Sequence, residues 1–185
     1  MIRPECNLLS TFIPEEYRTI RRRIIECVLA TDMANHTKQV NALKAKIESF
    51  DIKQGLNLEK MITLENLSKN YENQQIILSN ILHAADISNP AKPAKIYDVF
   101  VKKLFVEFFN QGDFEKKNNL PVSLMCDRVT TNIEKAQIGF INFIVLPFWE
   151  ILFQISPEIQ NYVENIRVNL KRYEELIKHQ EQSKK

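Results

Sequence analysis

Ile76-Ile-Leu-Ser-Asn-Ile-Leu-His-Ala-Ala-Asp-Ile-Ser-Asn-Pro90 carries an apolar helical pattern into an ionisable Asp, an amide and a proline. The run from Ile76 to Leu82 predicts a buried helix, and Asn89-Pro90 stops it, because a residue before proline is pushed out of the α region. Asp86 then emerges where the helix ends and its last carbonyls are free. A carboxylate so placed is suited to a metal ion. The plainer alternative is that Asp86 caps the next segment. Two later stretches show the same mixture, Glu107-Phe-Phe-Asn-Gln-Gly-Asp113 and Gln137-Ile-Gly-Phe140. For Gln137 the plainer alternative is an amide on a helix surface.

Outward from this stretch the pattern is helical almost throughout. Pro14-Glu-Glu opens a helix expected to reach about Met33, with Ile20, Ile24, Val28 and Cys27 as its apolar stripe. From about His36 to Phe50, Val40, Leu43 and Ile47 are in register, and Gly55-Leu-Asn57 marks a break before a helix from Leu58 to His83. Asn89-Pro-Ala-Lys-Pro93 predicts an extended turn. Tyr97, Phe100, Leu104 and Phe108 stripe the next helix, which Gly112-Asp113 is expected to end, with Phe114 to Arg128 as loop. A helix from about Thr131 is interrupted at Pro147. Ser156-Pro-Glu158 starts the last, with Ser156 as N-cap and Ile159, Val163, Ile166, Leu170, Tyr173 and Ile177 as its stripe. The residues 179–185 read as a polar, frayed tail behind one domain of residues 1–178. The fold class is all-α, an irregular multi-helix bundle without a sheet.

Composition narrows the function. With 44% hydrophobic and 26% charged residues the composition is ordinary for a soluble globular protein, and 3 Gly leave little room for a phosphate-cradling loop. A balance of 25 basic to 23 acidic residues, +2, is too small for a nucleic-acid footprint. Arg21-Arg22-Arg23 reads as a solvated face. Cys6, Cys27 and Cys126 are far apart and odd in number, which argues for reduced thiols and a cytoplasmic setting. Ile138 to Phe153 is strongly apolar, but Asn142, Pro147 and Glu150 within it favour a core helix over a membrane span.

Five motifs in one order, Leu29-Ala-Thr-Asp-Met-Ala-Asn-His36, Leu82 to Pro93, Glu107 to Asp113, Leu120-Pro-Val-Ser-Leu-Met-Cys-Asp-Arg128 and Gln137 to Val145, resemble the C-terminal half of the catalytic domain of class I cyclic-nucleotide phosphodiesterases. The resemblance implies a hydrolase that opens cAMP or cGMP to the 5'-monophosphate with two divalent ions, zinc and magnesium or manganese. Of the family's metal ligands it places only Asp86 here, and it places no catalytic acid. The other ligands belong to upstream His-rich motifs. On the nucleotide side it implies that Gln137 reads the purine edge, its amide free to rotate to either base, with Phe140 and Leu104 on the two faces of the ring. Asn89 lies near the purine edge and leans the preference to cAMP. Tyr97 and Phe100 stand at wall positions, Phe108 and Met125 at apolar lining, and Met33 and Thr31 beside the metal-side wall. Phe100, Leu124 and Asn142 depart from the family's commoner Trp, Pro and Asp.

By the same resemblance the chain starts in the middle of one domain, through a fragmentary gene model or a truncated product. It is then expected to be catalytically silent alone, with an apolar face around Ile20 to Val28 and Phe140 to Val145 covered by a homodimer or by the missing N-terminal half. The alternative is a truncated, non-catalytic paralogue that regulates or binds.

Overall fold

Residues 9–54 and 71–183 are described by the computed structural model, the side chains of 49–54 excepted. The break at Gly55-Leu-Asn57 and the span 58–70 lie outside the described residues. Every regular element among the described residues is helical, so the fold is all-α. Backbone contacts divide the chain into two compact units, Met1–Asp86 and Ile87–Lys185.

The first unit holds α1 (Pro14–Leu29), a 3₁₀ turn at Met33–Asn35, α2 (His36–Gln54) and α3 (Tyr71–Asp86). Pro14 opens α1 without wasting an N–H, and Glu16 accepts from the Ile13 N–H at 3.3 Å. The helix stops at Leu29 rather than near Met33. Asp32 explains the early stop, for its carboxylate accepts from the Ala34 N–H at 2.9 Å and caps the 3₁₀ turn that leads into α2. α2 buries Leu43 and Ile47 as their spacing predicts, and runs on to Gln54.

The packing of α1 on α3 is polar, which reverses two expectations. Ile24 and Val28 on the presumed stripe are 51% and 57% exposed. The residues that meet α3 are Arg23, Glu26 and Cys27. Gln75 Nε2 donates to the Arg23 carbonyl and to Cys27 Sγ, each at 3.3 Å, and the Tyr71 hydroxyl donates to Glu26 at 3.3 Å. Arg23 also donates to Gln74 and lies 4.3 Å from the Tyr71 ring centre, so it is no solvated face, whereas Arg21 and Arg22 are exposed. In α3 the buried face is Gln75, Ser79, Asn80, His83 and Ala84, while Leu78, Ile81 and Leu82 of the apolar run are exposed.

The second unit contains a 3₁₀ turn at Asn89–Ala91 where an extended turn was expected, then α4 (Ala94–Lys117), α5 (Ile133–Phe140), a wide π turn at Ile141–Val145, α6 (Leu146–Ile155), a 3₁₀ turn at Pro157–Ile159 and α7 (Gln160–Gln182). Its core is Tyr97, Val101, Phe105, Ile141, Val145, Phe148, Val163, Ile166 and Tyr173. The buried stripe of α4 is therefore Tyr97, Val101, Phe105 and Gly112, and Phe100 and Leu104 face solvent within this unit. α4 runs through Gly112 to Lys117, because the following loop closes directly over that glycine. A β-carbon at Gly112 would overlap the Cys126 carbonyl. Glu115 holds the loop by accepting from the Ser123 N–H at 2.7 Å, and Lys116 and Asp113 pair with Asp127 at 2.8 Å and Arg128 at 2.5 Å.

Pro147 does not break the run that starts at Ile133. It sits in the first turn of α6, where its missing N–H costs nothing, and the wide turn just ahead makes room for its ring. Ile133–Ile155 is thus one 23-residue helical run, long and apolar enough by those two measures to cross a membrane, yet it packs on α7 and its Glu150 pairs with Arg167 at 2.8 Å. The Ser156 hydroxyl donates to Glu158 at 2.6 Å instead of capping the backbone, so α7 begins after the 3₁₀ turn. α7 buries Val163, Ile166 and Tyr173 of its expected stripe, and remains helical to Gln182, past the residue where a frayed tail was expected.

Asn169 on α7 is fully buried and donates to the Pro90 and Lys92 carbonyls at 2.9 and 2.8 Å, while Asn165 donates to the Ala91 carbonyl at 3.1 Å. These bonds replace a ladder for the Asn-Pro-Ala turn. Asn169→Ala leaves two carbonyls without their donor and is expected to cost about 2 kcal/mol, read as a lower urea midpoint at unchanged slope. A loss below a few tenths would mean that water serves the turn equally well.

Candidate functional site

Each unit holds part of the site expected from sequence. In the first, Asp86 is the last residue of α3, exposed, and Thr31 and Met33 belong to the α1–α2 connection. The Thr31 hydroxyl donates to the Val28 carbonyl at 2.8 Å, and Met33 is exposed. A pair that the sequence did not reveal lies beneath them. His36 Nδ1 and His83 Nε2 are 2.8 Å apart, both side chains buried, which ties the start of α2 to the last turn of α3.

Burial pushes the pKa of both imidazoles down. His83 lowers His36 further, and Asp86, three residues from His83, works in the opposite direction on His83. Groups held neutral in the fold take up protons more readily once unfolded, so their stabilisation is complete above the unfolded value near 6.5 and lost as pH falls from there toward their lowered folded values. Stability should drop between pH 7 and 5.5 by up to about 1.4 kcal/mol per pH unit for each proton taken up. The depressed carboxylates, such as Asp98 held low by Arg172, act only below about pH 4. Urea unfolding at both pH values measures the effect, and a flat profile would mean that the pair is not neutral in the fold.

In the second unit the Tyr97 hydroxyl donates to Gln137 Oε1, with both side chains buried. Burial raises the Tyr97 pKa far above the ordinary phenol value, so the hydroxyl keeps its proton and remains a donor. The Tyr173 ring meets Tyr97 edge-on at 5.7 Å, and Tyr173 in turn donates to Asp98 at 3.4 Å. Arg172 grips Asp98 with two bonds of 2.7 and 2.6 Å. Gln137 is thus positioned by its hydrogen bond to Tyr97, whose ring in turn packs against Tyr173 on α7.

Phe140 is half-buried one turn beyond Gln137, and Asn89 half-buried in the 3₁₀ turn that Asn169 secures. Phe108 packs edge-on against the core ring of Phe105 at 5.7 Å, a contact that also serves the fold. Met125 has a left-handed backbone, φ 65°, and lines a cavity of about 460 Å³ together with Ser123, Leu124 and Ala136, the neighbour of Gln137. So Tyr97 and Gln137 are joined directly and Met125 shares a cavity wall with the start of α5, while Thr31, Met33 and Asp86 belong to the other unit.

A pair of divalent ions needs several protein ligands. Among the described residues no three His, Cys, Asp or Glu side chains converge on one point, so Asp86 offers a single carboxylate and these residues by themselves do not fit a metal pair.

The family profile for 3'5'-cyclic nucleotide phosphodiesterase matches residues 1–166. The chain is 33% identical over 174 residues to 3',5'-cyclic-AMP phosphodiesterase 4C of Rattus norvegicus, covering 93% of this chain and 31% of that one. To 3',5'-cyclic-AMP phosphodiesterase, isoform F, of Drosophila melanogaster it is 34% identical, covering 93% of this chain and 25% of the relative. The phosphodiesterase domain of the Salpingoeca rosetta rhodopsin phosphodiesterase superposes with a TM-score of 0.83 at 28% identity, over 99% of this chain and 52% of that domain chain. The chain therefore spans about a third or less of these two curated relatives and about half of the solved domain. With the motif order, the all-α architecture and the profile match in agreement, this chain belongs to the 3'5'-cyclic nucleotide phosphodiesterase family.

Proposed function

We propose that this chain forms the nucleotide-binding part of a phosphodiesterase that hydrolyses a 3',5'-cyclic nucleotide, cAMP in preference to cGMP, to the 5'-monophosphate. The observation that carries the reading is the Tyr97–Gln137 hydrogen bond. A glutamine amide presents a donor and an acceptor side by side, and turning it over exchanges them. Here the turn would set the NH2 against the Tyr97 hydroxyl, whose hydrogen would need another acceptor inside the protein. The bond supports a reading in which the amide is held in one orientation, and a held amide would favour one purine. Adenine is supported by Asn89 and by the names of the curated relatives, which are cyclic-AMP phosphodiesterases.

Phe140 and Leu104 supply flat and aliphatic surfaces for the base, and Phe100, Phe108 and Met125 the remaining wall. Two divalent ions, zinc with magnesium or manganese, would supply the activated water in a complete domain, with Asp86 as one ligand. Beyond that, this chain's residues bind and orient the base. A cytoplasmic setting agrees with Cys27 and Cys126, neither of them in a disulfide.

In a polypeptide carrying the complete domain, Gln137→Ala is expected to lower kcat/KM for cAMP by about 1 to 3 kcal/mol of transition-state binding, and to leave a phosphodiester without a base almost unaffected. Tyr97→Phe should bring cAMP and cGMP closer together, since it frees the amide. Equal losses on the nucleotide and the baseless ester would assign Gln137 to the fold and end this reading.

A further inference from the structure

Two neighbouring residues of α4, Tyr97 and Asp98, meet two neighbouring residues of α7, Arg172 and Tyr173. The tyrosine rings pack edge-on at 5.7 Å. Beside them the Arg172 guanidinium takes both oxygens of Asp98, Nη1 donating to Oδ2 at 2.7 Å and Nη2 to Oδ1 at 2.6 Å. Oδ1 also accepts from the Tyr173 hydroxyl at 3.4 Å, and the guanidinium carbon lies 5.1 Å from the centre of the Tyr173 ring. Tyr173 is therefore tied at its hydroxyl by Asp98 and at its ring by Arg172. What it packs against is Tyr97, the donor to Gln137.

The direction of each bond is fixed by chemistry, since a carboxylate only accepts and a guanidinium only donates. Burial pushes the pKa of Tyr173 up to about 12, so its hydroxyl stays protonated and gives its hydrogen to Asp98. The bond from Arg172 holds the Asp98 carboxyl below the usual range, so that group stays charged. As a fastener between helices the pair adds little. The side chains of Arg172 and Asp98 are 30% and 37% exposed, and water screens an ion pair so placed. Its forked geometry, however, leaves the carboxylate one orientation.

We propose that Asp98 and Arg172 are positioning residues for base selection: their ion pair sets the Tyr173 ring, that ring sets Tyr97, and Tyr97 presents its hydroxyl to Gln137. The inference rests on the reading of Tyr97 and Gln137 given above, and extends it to two side chains that act without touching the base. Arg172 and Tyr173 lie beyond residues 1–166, so the part of the chain matched by the family profile does not contain the whole device. Loosening the pair lets the Tyr97 ring rock, and the amide then turns more freely toward the other purine.

Steady-state kinetics of a polypeptide carrying the complete domain, with cAMP, cGMP and a phosphodiester without a base, tests this. Asp98→Asn and Arg172→Met should each lower the ratio of kcat/KM for cAMP over cGMP about fivefold, through KM, with hydrolysis of the baseless ester close to wild type. The double variant should lose no more than either single one, because the two side chains act as a unit. A mere helix fastener would shift the urea midpoint and leave the ratio alone. Tyr97→Phe separates the two ways of failing. If it lowers the ratio while Asp98→Asn and Arg172→Met do not, the positioning role is overturned and the reading of Gln137 stands. If it too leaves the ratio unchanged, that reading fails and the positioning role falls with it. Should either variant unfold, Arg172→Lys decides. It keeps the charge and the stem but not the fork, and should lower the ratio about two- to threefold; full wild-type selectivity in Arg172→Lys would overturn the proposal.

Discussion

Asp86→Ala, made in a polypeptide carrying the complete domain, should reduce cyclic-nucleotide hydrolysis by about a thousandfold or more, some 4 kcal/mol of barrier, while the helical circular dichroism stays as it was. Asp86 is exposed at the C-terminal end of α3, and among the described residues its carboxylate takes part in none of the hydrogen bonds of the first unit. Removing it thus takes little from the fold. A carboxylate at the C-terminal end of a helix faces the negative end of the dipole, an unfavourable place unless a cation is expected there. Activity retained within a few-fold would return Asp86 to the plainer role of an end residue.

Gly112→Ala should destabilise the second unit by about 3 kcal/mol, the upper range for forcing an atom into filled space. The sign is the informative part. In an exposed helix interior alanine is better than glycine by about 1 kcal/mol, so propensity alone would predict stabilisation. The clash wins because the overlapped atom is the Cys126 carbonyl, part of a loop already held by Glu115, Lys116 and Asp113. That loop cannot retreat without giving up those bonds and the left-handed geometry at Asn119 and Met125. The urea midpoint, followed by the fluorescence of the lone Trp149, reports the change. A raised midpoint would show that the loop does not rest on α4 in solution.

What could be read from the sequence depended on how far away each residue's partner lies. The stripe of α7 was legible because Val163, Ile166 and Tyr173 pack against apolar neighbours, and a periodic pattern reports that kind of burial. In α3 the same periodicity points to the wrong face. Leu78, Ile81 and Leu82 look like a core, but Gln75 and Ser79 are buried because Arg23 and Cys27, about fifty residues earlier, offer them hydrogen bonds. The His36–His83 bond, 47 residues apart, and the Tyr97–Gln137 bond, 40 apart, leave no local trace for the same reason. Gly112 looks like a terminator in sequence, since glycine commonly follows a helix, whereas its role depends on a loop that returns over it. Motif order singles out Gln137, Tyr97 and Met125 without reference to their partners, so their bond and cavity contacts come from the structure alone.

The wide turn at Ile141–Val145 sets the phase of everything after it. Gln137, Ile141, Val145 and Trp149 follow one another at a constant interval of four, and all four are buried. At 3.6 residues per turn, twelve residues of unbroken α-helix rotate about 1,200°, which would leave Trp149 roughly 120° around the axis from Gln137. A π turn takes up about one extra residue, or some 100°, and brings the two back to within about 20°. The amide on α5 and the indole on α6 therefore share one azimuth only because the helix is locally underwound. Chain length in this segment, more than the identity of any one side chain, keeps them aligned.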